Sequence, residues 1–215
     1  MGGVKVRNLA GAADLGRRDR KKHETRAALE RAALDLVAEH GLGGVTVEDI
    51  SQAADVSSRT FFNYFSCKEE AIIGGPPVMA AEIADSMAAA PPGLPVVEVL
   101  RLALRAEAGR LQRRREWWLL KMRVFERNPS LLPHLLANGA EVERSVQAAV
   151  AARVGDGPGA LGYPMLAAAV ACTAFRCAVV RWAAETGDAG APDLRDLLDE
   201  AFDALAAGLP DPSSE

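Results

Sequence analysis

Within the eight residues Ser57 to Tyr64 the chain places Ser57, Ser58, Arg59, Thr60, Asn63 and Tyr64 around Phe61, with Phe65 four positions further on. On a helix, Phe61 and Phe65 turn to one side and the hydroxyl, amide and guanidinium groups to another. Groups of that size suit phosphate oxygens and base edges, and Phe62 beside them can touch thymine methyls. A second concentration of charge lies upstream at Arg17, Arg18, Arg20, Lys21 and Lys22. A basic arm there can follow a minor groove or neutralise phosphates, each contact adding salt-dependent affinity.

Short helices are needed to hold these groups. Thr46 can cap a first helix through its hydroxyl, with Asp49 three residues on as the acid of a capping box and Ile50 as the first inward residue. Ala53 and Ala54 are small enough for close packing. Asp55 falls where the chain must turn, and Asp tolerates a left-handed backbone better than most residues. Ser57 caps the next helix. Ser66 with Glu69 reads as a further capping box, starting a helix whose first turn carries Lys68 to a phosphate. Upstream, Leu29, Ala32, Ala33, Leu36 and Val37 give helical spacing over about 20–40, ended by Gly41.

The run SSRTFFNYFSCKEEAI, preceded by TVEDISQAADV and a basic amphipathic helix, closely resembles the N-terminal DNA-binding domain of TetR/AcrR-type transcriptional regulators, over roughly residues 17 to 75. The resemblance implies a homodimeric one-component regulator, most often a repressor, that binds a palindromic double-stranded operator and is released by a small ligand. The DNA-contacting set is then Arg17, Arg18, Lys22, Thr46, Ser57, Ser58, Arg59, Thr60, Phe62, Asn63, Tyr64 and Lys68. Many members have Gly where Asp55 and Arg59 stand. The first difference leaves the fold intact and the second alters what the reading helix recognises. Two other readings are a DNA-binding helical protein without an effector and a regulator switched by oxidation of Cys67, which lies near a helix N-terminus.

The net charge of −4 is segregated along the chain. Residues 16–31 carry +4, whereas the stretch from Glu185 to the end carries −8. A basic end turned to DNA and an acidic remote end would orient the molecule on a duplex. Cys67, Cys172 and Cys177 form no CxxC pair, so a cytoplasmic protein without a disulfide framework or structural zinc is expected. His23 and His40 have no partners at metal-ligand spacing, and His134 has no nucleophile paired with it in sequence. The apolar run Pro164 to Phe175 stops at Arg176 after 12 residues, short of a membrane span. No G-x-S-x-G, phosphate-cradling glycine loop or H-E-x-x-H is present, so neither catalysis nor a cofactor is expected.

Few aromatic residues and abundant Ala, Leu, Arg and Glu predict an all-α fold of about nine helices. The expected organisation is a disordered tail over 1–16, a three-helix helix-turn-helix domain over 17–75, a helical ligand-binding and dimerisation bundle over 76–209, and a tail over 210–215. Gly74, Gly75, Pro76 and Pro77 break the helix that joins the domains and could form a hinge. Further helices follow over about 77–89, 95–114 (Val97, Leu100, Leu104, Ala108 and Leu111 inward), 116–127, 130–154, 159–186 and 193–208. The last two suit a helix-on-helix homodimer interface, as the resemblance also implies. It further implies a small-molecule site in the second domain. Trp117, Trp118, Met122 and Phe125 on one helix, with Phe175 and Arg176 on another, would make an apolar pocket for a hydrophobic acid such as a fatty acid or acyl thioester. Arg176, flanked by apolar neighbours, needs a carboxylate partner, a route to solvent or a ligand acid.

Overall fold

The computed structural model describes the backbone of residues 9–74, 76–155, 157, 161–184 and 192–211, and their side chains except at 9–19 and 76–79. Among these residues the fold is all-α, with helices α1 (Leu9–His40), α2 (Val47–Ala53), α3 (Ser58–Phe62), α4 (Lys68–Ile73), α5 (Pro76–Ala89), α6 (Val96–Gln112), α7 (Arg115–Arg127), α8 (Leu132–Val154), α9 (Tyr163–Ala184) and α10 (Leu194–Ala206), and two 3-10 turns at Leu42–Gly44 and Pro129–Leu131. The break expected after α4 is present at Gly74, where φ is 74°, and α5 follows it as a separate element, which gives ten α-helices among the described residues. Helix α1 begins at Leu9, inside the stretch expected as a tail over 1–16, in keeping with an Ala-rich sequence of high helix propensity. Residues 1–8 and 212–215 of the two expected tails lie outside the described residues, as does Gly75 of the break.

The chain forms two compact units. The first comprises Met1–Gly74 with Arg123–His134. In it α1 packs on α2, on α4 and on the first 3-10 turn, and α2 packs on α3. Leu29, Leu34, Ile50, Phe61 and Ile72 are wholly buried there. Leu34 takes the innermost place on α1, while Leu36 and Ala32 are half-buried. Ala53 is exposed, and the tight position in α2 belongs to Ser51. Its hydroxyl donates to the Val47 carbonyl at 2.7 Å, which lets a polar side chain be buried at little cost.

The second unit comprises Gly75–Met122 and Leu135–Glu215. Its α6 packs on α5, α9 and α10, and α9 and α10 pack on each other. Val99, Leu100, Ala103, Leu104 and Ala108 bury one face of α6; Val97, expected inside, is exposed because Val99 holds the inward position. On α9 the buried face is a stripe of small residues, Ala168, Ala171, Ala174 and Ala178, ending in Trp182, while Met165, Leu166 and Val180 point outward. Small side chains let the α9 backbone approach its neighbours closely, and Trp182, fully buried, fills the end of the seam. The helix also continues past the Arg176 at which the apolar run was expected to end. It is 22 residues long and an 18-residue stretch of it has a mean hydropathy of 1.6, so by length and composition alone it could cross a bilayer. Asp193 caps α10 by accepting from the Arg195 amide at 2.9 Å, and Gly208 ends it at a φ of 81°.

Candidate nucleic-acid interface

Local hydrogen bonding sets the helix-turn-helix. The Thr46 hydroxyl accepts from the Asp49 amide at 3.1 Å, and the Asp49 carboxylate accepts from the Thr46 amide at 2.8 Å and its hydroxyl at 2.6 Å. These bonds, the side-chain one first, hold the Asp49 carboxyl below the usual carboxylate range. The turn closes through Ala54 N–H to Ile50 O at 3.1 Å and Val56 N–H to Ser51 O at 2.9 Å. Asp55 adopts a φ of 53° between them. Ser57 caps α3 by accepting from the Thr60 amide at 3.1 Å, and its hydroxyl pairs with that of Thr60 at 2.9 Å.

This geometry brings most of the sequence-predicted contact set onto one short segment. Phe61 and Phe65 are buried, their ring centroids 5.6 Å apart, and they anchor α3. Ser57, Arg59, Phe62 and Asn63 are exposed, Phe62 at 58%. Ser58, Thr60 and Tyr64 are half-buried, and Thr46 and Lys22 are exposed. The side chains of Arg17 and Arg18 lie outside the described residues. The surface is not uniformly basic: Glu48 and Asp55 join Ser57 and Ser58 around a shallow cleft of about 450 Å³. Attraction to phosphate therefore has to come from Arg59 and α1.

Two basic side chains are placed in ways the sequence did not announce. Lys68, expected at a phosphate, donates from its ammonium to the carbonyls of Leu42 at 2.7 Å and Val45 at 2.8 Å. Arg26, absent from the expected set, donates from Nη1 to the Tyr64 carbonyl at 3.2 Å, bonds Glu30 through Nε at 3.1 Å and lies 4.3 Å above the Phe65 ring. The capping box at Ser66 is corrected as well. The cap of α4 is Cys67, which makes no side-chain cap bond, and the Ser66 amide and hydroxyl both donate to Glu70, each at 2.7 Å, not to Glu69. The helix starts one residue later than the spacing implied, so the acid that reaches back is one residue later too.

The candidate effector residues are distributed less tightly. Trp118 and Phe175 are half-buried against the core of the second unit. Trp117 is stacked between Arg114, 4.2 Å above its ring, and Lys121 Nζ at 4.8 Å; Lys121 also lies 5.9 Å from the Trp118 ring and is itself buried. The indole N–H groups of Trp117 and Trp118 are buried without an acceptor. Met122 is half-buried in the second unit, whereas Phe125 groups with the first. Arg176 has the solvent route: it is exposed and donates to the Thr173 hydroxyl one turn back at 3.1 Å. The cation among the aromatic residues is therefore Lys121. Its neighbours in the run WWLLKM are apolar, and Trp117 and Trp118 stand four and three positions before it, so helical spacing alone could have pointed to this cation.

A capped, two-helix turn carrying exposed polar residues, beside a long helix whose first half is basic, has the form of a helix-turn-helix domain. The tetR family of bacterial regulatory proteins matches residues 30–71, and the MftR C-terminal domain of that family matches residues 94–210. The chain belongs to the TetR family of bacterial regulatory proteins. It is 34% identical over 148 residues to the HTH-type transcriptional regulator TcmR of Streptomyces glaucescens, a match spanning 65% of this chain and 65%, under two thirds, of TcmR. It is 26% identical over 200 residues to the putative mycofactocin biosynthesis transcriptional regulator MftR of Mycobacterium tuberculosis, covering 88% of this chain and 93% of MftR. Among solved structures it shares its fold with the fatty acid degradation regulator FadR of Bacillus halodurans, at a TM-score of 0.55 and 19% identity over 86% of this chain and 96% of that one. Thermus thermophilus FadR, a TetR-family transcriptional repressor in complex with lauroyl-CoA, matches at a TM-score of 0.50 and 24% identity, covering 88% of this chain and 97% of that one.

Proposed function

We propose that the chain is a cytoplasmic repressor that binds a palindromic operator as a homodimer and leaves it on binding a hydrophobic acid or its thioester. The observation that carries this reading is the exposed edge of α3, where Arg59, Phe62 and Asn63 stand out from a segment pinned by the buried Phe61 and Phe65. A helix with such an edge enters a major groove, and Arg and Asn are the side chains that read guanine and adenine. In this division of labour residues 17–75 read DNA and 76–209 bind the effector and pair the subunits.

The outward residues of α9 support the homodimer. Leu166, Thr173 and Val180 recur every seven residues on one exposed stripe, with Met165 beside it. An apolar stripe of this length on a helix that also carries the exposed cations Arg176 and Arg181 suits a second protein helix better than lipid. The α10 helix, packed on α9 and tied to it by Arg181 to Glu200 at 2.9 Å, would join the same interface.

The effector class is supported by Trp117 and Trp118, whose buried N–H groups favour a ligand carrying an acceptor. Thermus thermophilus FadR, of the same fold, holds lauroyl-CoA. The test is to select a duplex from a random pool with purified protein, then titrate the complex with dodecanoate and with lauroyl-CoA. Release of DNA and a raised melting temperature with either supports the effector class. If neither compound changes affinity or melting, the effector is of another kind; if no duplex is enriched, the operator reading fails.

A further inference from the structure

The basic residues of the DNA-reading unit fall into two groups. Lys21, Lys22, Arg31 and Arg59 are exposed. Arg26 and Lys68 instead direct their donors at main-chain carbonyls, and the carbonyls they choose stand at opposite ends of the helix-turn-helix. Leu42 and Val45 flank the loop that leads into Thr46 and α2, and both accept from the Lys68 ammonium. Tyr64 closes the turn after α3, and its carbonyl accepts from Arg26. The partners are 26 and 23 residues away for Lys68 and 38 for Arg26, so each bond ties a separate element, α4 or α1, to the reading segment.

Local bonds alone hold each segment end weakly: Gly44 N–H to Gly41 O at 3.2 Å before α2, and Tyr64 N–H to Phe61 O at 2.9 Å after α3. The loop before α2 contains Gly41, Gly43 and Gly44, with Gly41 at a φ of 75°, and glycines leave a backbone free to move unless something outside fixes it. The α3 helix is five residues long and cannot persist without tertiary support. Arg26 supplies that support on three sides: it bonds the Tyr64 carbonyl, covers the Phe65 ring and is held in place by Glu30, with only 13% of its side chain exposed.

We propose that Arg26 and Lys68 are positioning residues for DNA reading, bracing the two ends of the helix-turn-helix, and that neither works by contacting phosphate. This rests on the DNA-binding reading but makes a claim that can fail independently. A phosphate contact contributes about 0.9 to the slope of log affinity against log salt. A brace contributes nothing to that slope, yet its loss loosens the free protein.

The test uses the full chain and the duplex that wild type enriches from a random pool. Lys68→Met and Arg26→Gln are expected to bind it about tenfold more weakly or worse, from losing one or two charge-assisted hydrogen bonds. The salt slope should stay that of wild type. In the free proteins, amide exchange should quicken at 41–47 for Lys68→Met and at 63–65 for Arg26→Gln. Lys68→Arg keeps the charge but replaces a compact ammonium, which fits between two carbonyls, with a planar fork that binds phosphate well. It should therefore fail to restore affinity. It also carries the test if Lys68→Met does not fold. A slope reduced by about 0.9 with unchanged exchange, or full affinity in Lys68→Arg, overturns the proposal. Should wild type enrich no duplex, the exchange measurements still decide the bracing, and the operator reading is what has failed.

Discussion

Substituting Leu166 and Val180 together by Glu should turn the protein into a monomer. The two side chains are 62% and 64% exposed in the single chain, so most of their apolar surface is still open to be covered by a partner. Burying such a side chain completely is worth about 1.5–3 kcal/mol, and the exposed share of each is therefore worth about 1–2 kcal/mol. A two-fold interface counts each residue twice, giving about 4–8 kcal/mol in all and about a thousandfold or more in dissociation constant. Four carboxylates brought into an apolar seam would add to the loss. Sedimentation equilibrium from nanomolar to tens of micromolar protein reads this directly. Wild type should be dimeric at micromolar concentration and the double variant monomeric, with the far-ultraviolet circular dichroism of the two alike because neither side chain belongs to the core of one subunit. A double variant that dimerises as tightly as wild type would refute the assignment of this face.

Asp55→Gly removes a side chain from a left-handed position and should raise stability by a few tenths to about 1 kcal/mol, seen as a higher melting temperature, without changing which operator is bound. Arg59→Ala and Asn63→Ala should relax base preference at one operator position each, at about 1–3 kcal/mol for each bidentate pairing removed, when the DNA selection is repeated with the variants. The Arg195 side chain holds the Asp193 carboxyl down at about 2 from an ordinary 3.8. Because the folded value is the lower one, the stabilisation is complete above about pH 4 and is lost as pH falls toward 2. Acid unfolding of Asp193→Asn should lack that part of the pH dependence. Burial pushes the Cys172 thiol up to about 11, with the Glu143 charge adding to the effect, whereas Cys177 is exposed. Iodoacetamide at pH 8 should label Cys177 well before Cys172, as peptide mass analysis would show.

What could be read in the sequence was what short-range geometry decides. Thr46 with Asp49, Ser57 before α3, the left-handed Asp55 and the stop at Gly208 are each set by residues three or four apart, so spacing and side-chain type suffice. The acid of the next cap moved from Glu69 to Glu70 because the one-residue uncertainty of a helix start shifts every partner with it. The buried face of α9 was hidden for a different reason. Large apolar residues occur on several sides of this helix, so periodicity picks out no single face, and close packing selected the alanines while leaving Met165, Leu166 and Val180 outside. Arg26 and Lys68 escaped because the carbonyls they meet are 23 to 38 residues away and come to them only once the helices are assembled, whereas Lys121 stands three and four residues from its indoles on one helix and was legible from spacing. A cation looks the same in sequence whether it will meet a phosphate or a carbonyl.

On the proposed reading two copies of α3 engage one duplex jointly, and hydroxyl-radical footprinting on the selected DNA, with the mass of the complex measured in parallel, would show it. Two protein chains per duplex, with an inverted repeat protected on one face at half-sites about one helical turn or somewhat more apart, is the expected result. A single chain per duplex, or protection with no two-fold symmetry, would contradict it.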